Sequence, residues 1–207
     1  DARYCLPIPE PYDDAHAAPL LCAGLIGYRT LRMAGDVRRI GIYGFGAAAH
    51  LVTQIAVAEQ RKVFAFTRAG DTAAQQLALQ TGASWAGSSD QSAPEQLDAA
   101  LIFAPVGALI PQALLAVAKG GAVVCGGIHM SDIPSFPYRL LWEERKLMSV
   151  ANLTRADGLA LMRVASAIPL KVHVTPYRLQ DANTALDDLR AGRVAGAAVL
   201  KVRSDKR

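Results

Sequence analysis

The residues with the plainest chemical purpose are Gly41-Ile-Tyr-Gly44-Phe-Gly46-Ala47-Ala48-Ala49-His50. They follow the apolar run Ile40–Tyr43 and open the helical stretch Ala47–Gln60. G-x-G-x-x-A between a strand and a helix is an arrangement that cradles a pyrophosphate. Gly44 permits the tight turn, Gly46 lets backbone approach the phosphates, and Ala49 keeps the helix close to its strand. Ala47, Ala48 and Ala49 then offer unpaired N–H groups at the positive end of the helix dipole.

The next apolar run, Val63–Phe66, leads into Thr67 and Arg68. Thr67 lies 21 positions after Gly46, where an acidic residue would bond the adenosine ribose of NAD. With no carboxylate to repel a 2′-phosphate, and with Arg68 able to pair with one, the expected cofactor is NADP, with NAD as the alternative.

Short apolar runs and longer helical stretches alternate along the chain, which is the α/β pattern. Expected strands are Ile40–Tyr43, Val63–Phe66, Leu101–Ala104, Ala122–Cys125, Leu147–Val150, Lys171–Val174 and Ala197–Val202. Most lack period-2 alternation, as strands covered on both faces should. Expected helices are Ala47–Gln60, Thr72–Thr81, Ile110–Lys119, Arg155–Ile168 and Asp181–Ala191. The first 35 residues differ: Pro7, Pro9, Pro11 and Pro19 precede a helix-like stretch from Leu20 to Met33. The pattern predicts a doubly wound Rossmann fold with a six-stranded parallel sheet ordered 3-2-1-4-5-6.

Composition excludes several classes. At 207 residues, 52% hydrophobic and 19% charged, the chain is the opposite of a disordered one. Its net charge of +4 is scattered over clusters such as Arg38-Arg39, Arg61-Lys62 and Lys201-Val-Arg203, with few aromatics between, so nucleic acid is not the expected partner. The charge-free run 99–118 is long enough to cross a bilayer, but Pro105, Gly107 and Pro111 make it a strand, a turn and a helix. No membrane partner is expected. Cys5, Cys22 and Cys125 form no CxxC pair, which points to a reducing cytoplasm. By itself Cys22 reads as a free thiol, since His16, His50, His129 and His173 carry no metal-ligand spacing with it.

Four segments in order resemble the zinc-dependent alcohol dehydrogenases of the medium-chain dehydrogenase/reductase superfamily. They are 17–28 (AAPLLCAGLIGY), the glycine turn, 120–127 (GGAVVCGG) and 182–200 (ANTALDDLRAGRVAGAAVL). The resemblance implies that residues 1–35 are the end of a catalytic domain, 36–170 the NAD(P)-binding Rossmann domain, and 171–207 a segment returning to the catalytic domain. Remnants of that domain are thus expected at both termini. It makes Cys22 one ligand of a catalytic zinc whose other ligands, a cysteine and a histidine, lie outside this sequence. Zinc is therefore expected in a full-length enzyme only. It also places Ala104, Pro105 and Val106, and Gly127, Ile128 and His129, against the cofactor. Gly196 stands where some members carry an arginine for the pyrophosphate, and Arg155 is the candidate replacement.

The activity so implied is hydride transfer between a nicotinamide dinucleotide and a small alcohol, aldehyde or ketone. A zinc-free NADPH quinone oxidoreductase and a non-catalytic dinucleotide-binding module are the alternatives. The family's habit of joining sixth strands edge to edge implies a homodimer through Lys146–Val150.

Overall fold

A computed structural model describes residues 1–202; residues 203–207, Arg203 among them, lie outside the described residues. Six strands, β1 (Arg39–Tyr43), β2 (Lys62–Thr67), β3 (Trp85–Ser88), β4 (Leu97–Ile102), β5 (Val117–Cys125) and β6 (Lys146–Ser149), form one sheet ordered β3-β2-β1-β4-β5-β6. All five pairings are parallel. Order and direction are as the sequence pattern predicts.

The helices are α1 (Asp14–Ala17), α2 (Ala23–Met33), α3 (Ala47–Ala58), α4 (Thr72–Gln80), α5 (Leu109–Ala116), α6 (Arg155–Ala167) and α7 (Ala182–Arg190). Successive side chains of a strand point to opposite faces. Ile40, Ile42, Val63 and Ala65 accordingly join Leu25, Leu31, Leu51, Ile55 and Leu161 from α2, α3 and α6 in one core. Tyr43, Phe64 and Phe66 lie in the other, against Leu109, Ile110, Ala113 and Leu114 of α5. Burial on both faces explains why the strands carry no polar side.

Three local expectations need correction. β3 is absent from the apolar runs, because Trp-Ala-Gly-Ser has one large apolar residue and sits at the sheet edge. The helix expected over Ile110–Lys119 stops at Ala116, and β5 begins at Val117 with no break in apolarity. Lys171–His173 is not a strand: its backbone bonds to side chains of α3, and the ladder starts at Val174. There β7 (Val174–Arg178) pairs with β8 (Ala197–Lys201) in a separate two-stranded parallel sheet.

Helix starts are treated unequally. Asp71 accepts from Ala74 N–H at the start of α4, and Thr154 with Asp157 forms a capping box on α6. The start of α3 at Gly46 has no side-chain cap. No helix among the described residues is long and apolar enough to cross a membrane.

Candidate functional site

The sequence puts a glycine wherever the β1–α3 turn must come close to its neighbours. Gly44 has φ +88°, a left-handed conformation, and a Cβ there would lie 2.6 Å from the Ala104 nitrogen. Both the conformation and the approach demand glycine. Gly46 is different: a Cβ on it would meet nothing within 4 Å. That open space lies directly over the uncapped N-terminus of α3, where the Ala47, Ala48 and Ala49 N–H groups have no side-chain partner. Ala49 is fully buried beneath it, against the sheet. The cradle suits a phosphate pair in shape and in charge.

Hydrogen bonds hold the strand ends in one row. Gly44 N–H donates to the Phe66 carbonyl at 2.8 Å, joining the β1 turn to β2. Phe103 and Ala104 N–H donate to the Tyr43 carbonyl at 2.9 and 3.0 Å, joining it to the end of β4. Gly126 and Gly127 N–H donate to the Ile102 carbonyl at 2.8 and 3.0 Å, which brings in the end of β5. Ser131 then clamps the last two loops: its N–H donates to the Pro105 carbonyl at 3.3 Å, and its hydroxyl accepts from Gly107 N–H at 2.9 Å. A crevice along the carboxyl ends of parallel strands, where their order reverses, is where such sheets take ligands.

Arg68 stands at one end of this row. It is exposed, its guanidinium has no hydrogen bond or ion pair among the described residues, and its Nη2 lies 3.9 Å from where a Gly192 Cβ would be. Thr67 beside it is buried, with its hydroxyl oxygen 3.3 Å from the Gly87 carbonyl and accepting from Gln75 Nε2 at 3.1 Å. The threonine is turned into the sheet and α4; the arginine alone is presented to solvent. At the other end Val106, Ile128 and His129 are exposed, and His129 holds φ +54°. An apolar, solvent-facing pair at strand ends suits a flat ring.

A cavity of about 440 Å³ opens beside the turn, lined among others by Tyr43, Asp90, Gln91, Gln112 and Leu115. The Tyr43 ring stacks on Phe66 at 4.3 Å, and burial raises its phenol above the ordinary value. Sequence reasoning missed Tyr43, Ser131 and the role of His50. Tyr43 was visible as the last residue of the strand before the turn; Ser131 carried no signal.

Cys22 is exposed at the start of α2. Among the described residues no group of three His, Cys, Asp or Glu side chains could hold a metal ion. Cys22 by itself does not complete a zinc centre. Arg155 donates to the Arg3 carbonyl at 2.6 Å. Gly196 has its own reason to be glycine, because a Cβ there would lie 2.2 Å from the His173 carbonyl.

No family model matches the chain. Curated proteins do: "Probable alcohol dehydrogenase AdhA" of Mycobacterium tuberculosis (strain CDC 1551 / Oshkosh) is 43% identical over 204 residues, covering 97% of this chain and 58% of the relative. The chain belongs to the alcohol dehydrogenase family. An alcohol dehydrogenase of Moraxella sp. (strain TAE123) is 28% identical over 97% of this chain and 62% of its own length. The chain thus spans about three fifths of the alcohol dehydrogenases it matches. Among solved structures, acetophenone reductase from Geotrichum candidum in complex with NAD superposes with a TM-score of 0.85 at 24% identity, over 97% of this chain and 59% of that one. The cinnamyl alcohol dehydrogenase (CAD) of Helicobacter pylori with NADP(H) gives 0.82 at 21% identity, over 97% and 58%. These two likenesses establish the Rossmann-type fold.

Proposed function

We propose that this chain is the dinucleotide-binding part of a zinc-type alcohol dehydrogenase and prefers NADP. The observation that carries the reading is the open, uncapped start of α3 under Gly46, set in a row of tied strand ends. Ala47, Ala48 and Ala49 N–H groups hold the pyrophosphate, and Gly44 lets the turn pass under it. Arg68, lacking any anionic partner of its own, takes the 2′-phosphate. Ala104, Pro105 and Val106 line the middle of the cofactor, and Gly127, Ile128 and His129 back its nicotinamide ring. When bound, the nicotinamide exchanges a hydride with the carbon of a small alcohol, aldehyde or ketone. This chain's work in that reaction is to bind and orient the cofactor.

In a full-length enzyme of this type Cys22 would supply one thiolate to a zinc whose other ligands are not among the described residues, and residues 1–35 and 171–202 would face the domain that carries them. The three free thiols suit a cytoplasmic setting. The edge strand β6 joins a second copy in a two-fold dimer, which light scattering tests: a 21.9 kDa monomer at micromolar concentration overturns it. The cofactor reading is tested by titrating the chain with NADPH and NADH. Tighter NADPH binding is the expected result; equal or tighter NADH binding removes the NADP preference, and binding of neither removes the site.

A further inference from the structure

One buried titratable side chain near the site has no part in the reading above. His50, in the first turn of α3, is wholly buried. Its Nε2 accepts the backbone N–H of His173 at 3.2 Å. A backbone N–H can only donate, so Nε2 is bare and the ring proton sits on Nδ1. Nδ1 in turn lies 3.4 Å from the carbonyl of Gly46, at the long end of a hydrogen bond. Burial holds the imidazole neutral, lowering its pKa to about 4, and His173, with ring centroids 5.6 Å apart, is the titratable group that faces it.

The line continues beyond His173. Its carbonyl accepts the Ala197 N–H at 2.9 Å where β8 begins, and Gly196, at φ +77°, is pressed against the same carbonyl. Gln54, one turn along α3, clamps the neighbouring residue, accepting Lys171 N–H at 2.8 Å and donating to the Lys171 carbonyl at 3.0 Å. Gln54 also donates to the His50 carbonyl at 2.9 Å but makes no bond to Gly46. Among the described residues the His50 side chain is bonded to both Gly46 and His173.

We propose that His50 is a positioning residue that links the Gly46 turn to the β7–β8 ribbon through a single neutral imidazole, so that ribbon and turn move as one body. This rests on the reading of the turn as a dinucleotide site. The link runs both ways: ordering the turn with a ligand orders the ribbon, and freeing the ribbon loosens the turn.

The experiment uses the whole chain with His50→Leu, His50→Asn, His50→Gln and Gln54→Leu, reading amide hydrogen exchange at His173 without cofactor and NADPH affinity by titration. Leu lacks the acceptor, and the shorter Asn does not reach His173. Both are expected to speed His173 exchange roughly tenfold or more and to weaken NADPH about fivefold. Gln, whose amide oxygen reaches where Nε2 stands but which has no donor at the Nδ1 position, is expected to restore slow His173 exchange and not the NADPH affinity. Gln54→Leu is expected to speed exchange at Lys171 while leaving NADPH affinity within about twofold, because Gln54 bonds to His50 only at its backbone carbonyl and leaves the imidazole bonds in place. Unchanged His173 exchange in both Leu and Asn overturns the link, and so does faster exchange with unaltered affinity. If His50→Leu does not fold, Asn against Gln decides. A wild-type chain that binds neither NADPH nor NADH overturns the dinucleotide reading and the positioning role with it, while the exchange result still shows whether the bond to His173 exists.

Discussion

The glycine turn and Cys22 are the two places to which the proposed function assigns chemistry, and they differ in how their parts are supplied. Everything the turn needs comes from six contiguous residues and the strand ends packed beside them. On the proposed reading Cys22 would give one sulfur to a centre that takes three or four protein donors, and among the described residues no group of three His, Cys, Asp or Glu side chains could hold a metal ion. A site made of backbone and local conformation travels with its fold. A site assembled from distant side chains does not.

The sharpest way to break that contrast is to damage the turn itself. Gly44→Ala forces a side chain into a left-handed φ and against Ala104 backbone, so a stability loss of roughly 3 kcal/mol is expected by urea unfolding, with loss of dinucleotide binding. A loss under about 0.5 kcal/mol would mean that the turn tolerates what its geometry forbids.

Acid provides the next test. In the unfolded chain His50 takes up a proton near its ordinary 6.5, whereas in the fold it does so only near 4. The unfolded state therefore binds more protons between those values, so stability is complete above pH 6.5 and falls as pH drops towards 4. The expected loss is about 3 kcal/mol. His50→Gln should flatten this dependence; an equally steep fall in the variant would assign it to other groups.

Arg68→Ala comes third. Removing a charge-assisted bond costs roughly 1.5–3 kcal/mol, which weakens NADPH about 10- to 100-fold and leaves NADH nearly untouched. Equal losses for both cofactors would move Arg68 away from the 2′-phosphate. The smallest effect belongs to Cys22→Ala, expected to leave dinucleotide affinity within about twofold because an exposed group outside the site adds little. Thiol labelling should find Cys5 and Cys22 fast and Cys125, buried with its pKa raised by burial, slow.

Most of the sheet was legible because a strand buried on both faces reads as an unbroken apolar run, as at Ile40–Tyr43 and Val63–Phe66. β3 escaped because an edge strand needs little apolarity, and its pairing with β2 is a property of the backbone. The end of α5 escaped for the opposite reason: Leu114 to Val117 is apolar in helix and strand alike. In the site, the glycines announced themselves by spacing. The inward turn of Thr67 did not, since it depends on Gln75 and Gly87 arriving from α4 and β3. Nor could the tie between His50 and His173 be seen, as 123 residues separate its ends.

The aromatic stack gives the molecule its own optical label. Tyr43 borders the cavity beside the turn, Phe66 lies on it, and Trp85 leans on Phe66 with ring centroids 5.1 Å apart. The second tryptophan, Trp142, is 62% exposed, on the segment that leads into the edge strand β6. Emission from the half-buried indole should lie to the blue and report on the packing of the stack, while the solvent-facing one emits to the red as an internal reference. The ratio of the two colours makes the packing of this face of the sheet readable in the unlabelled chain.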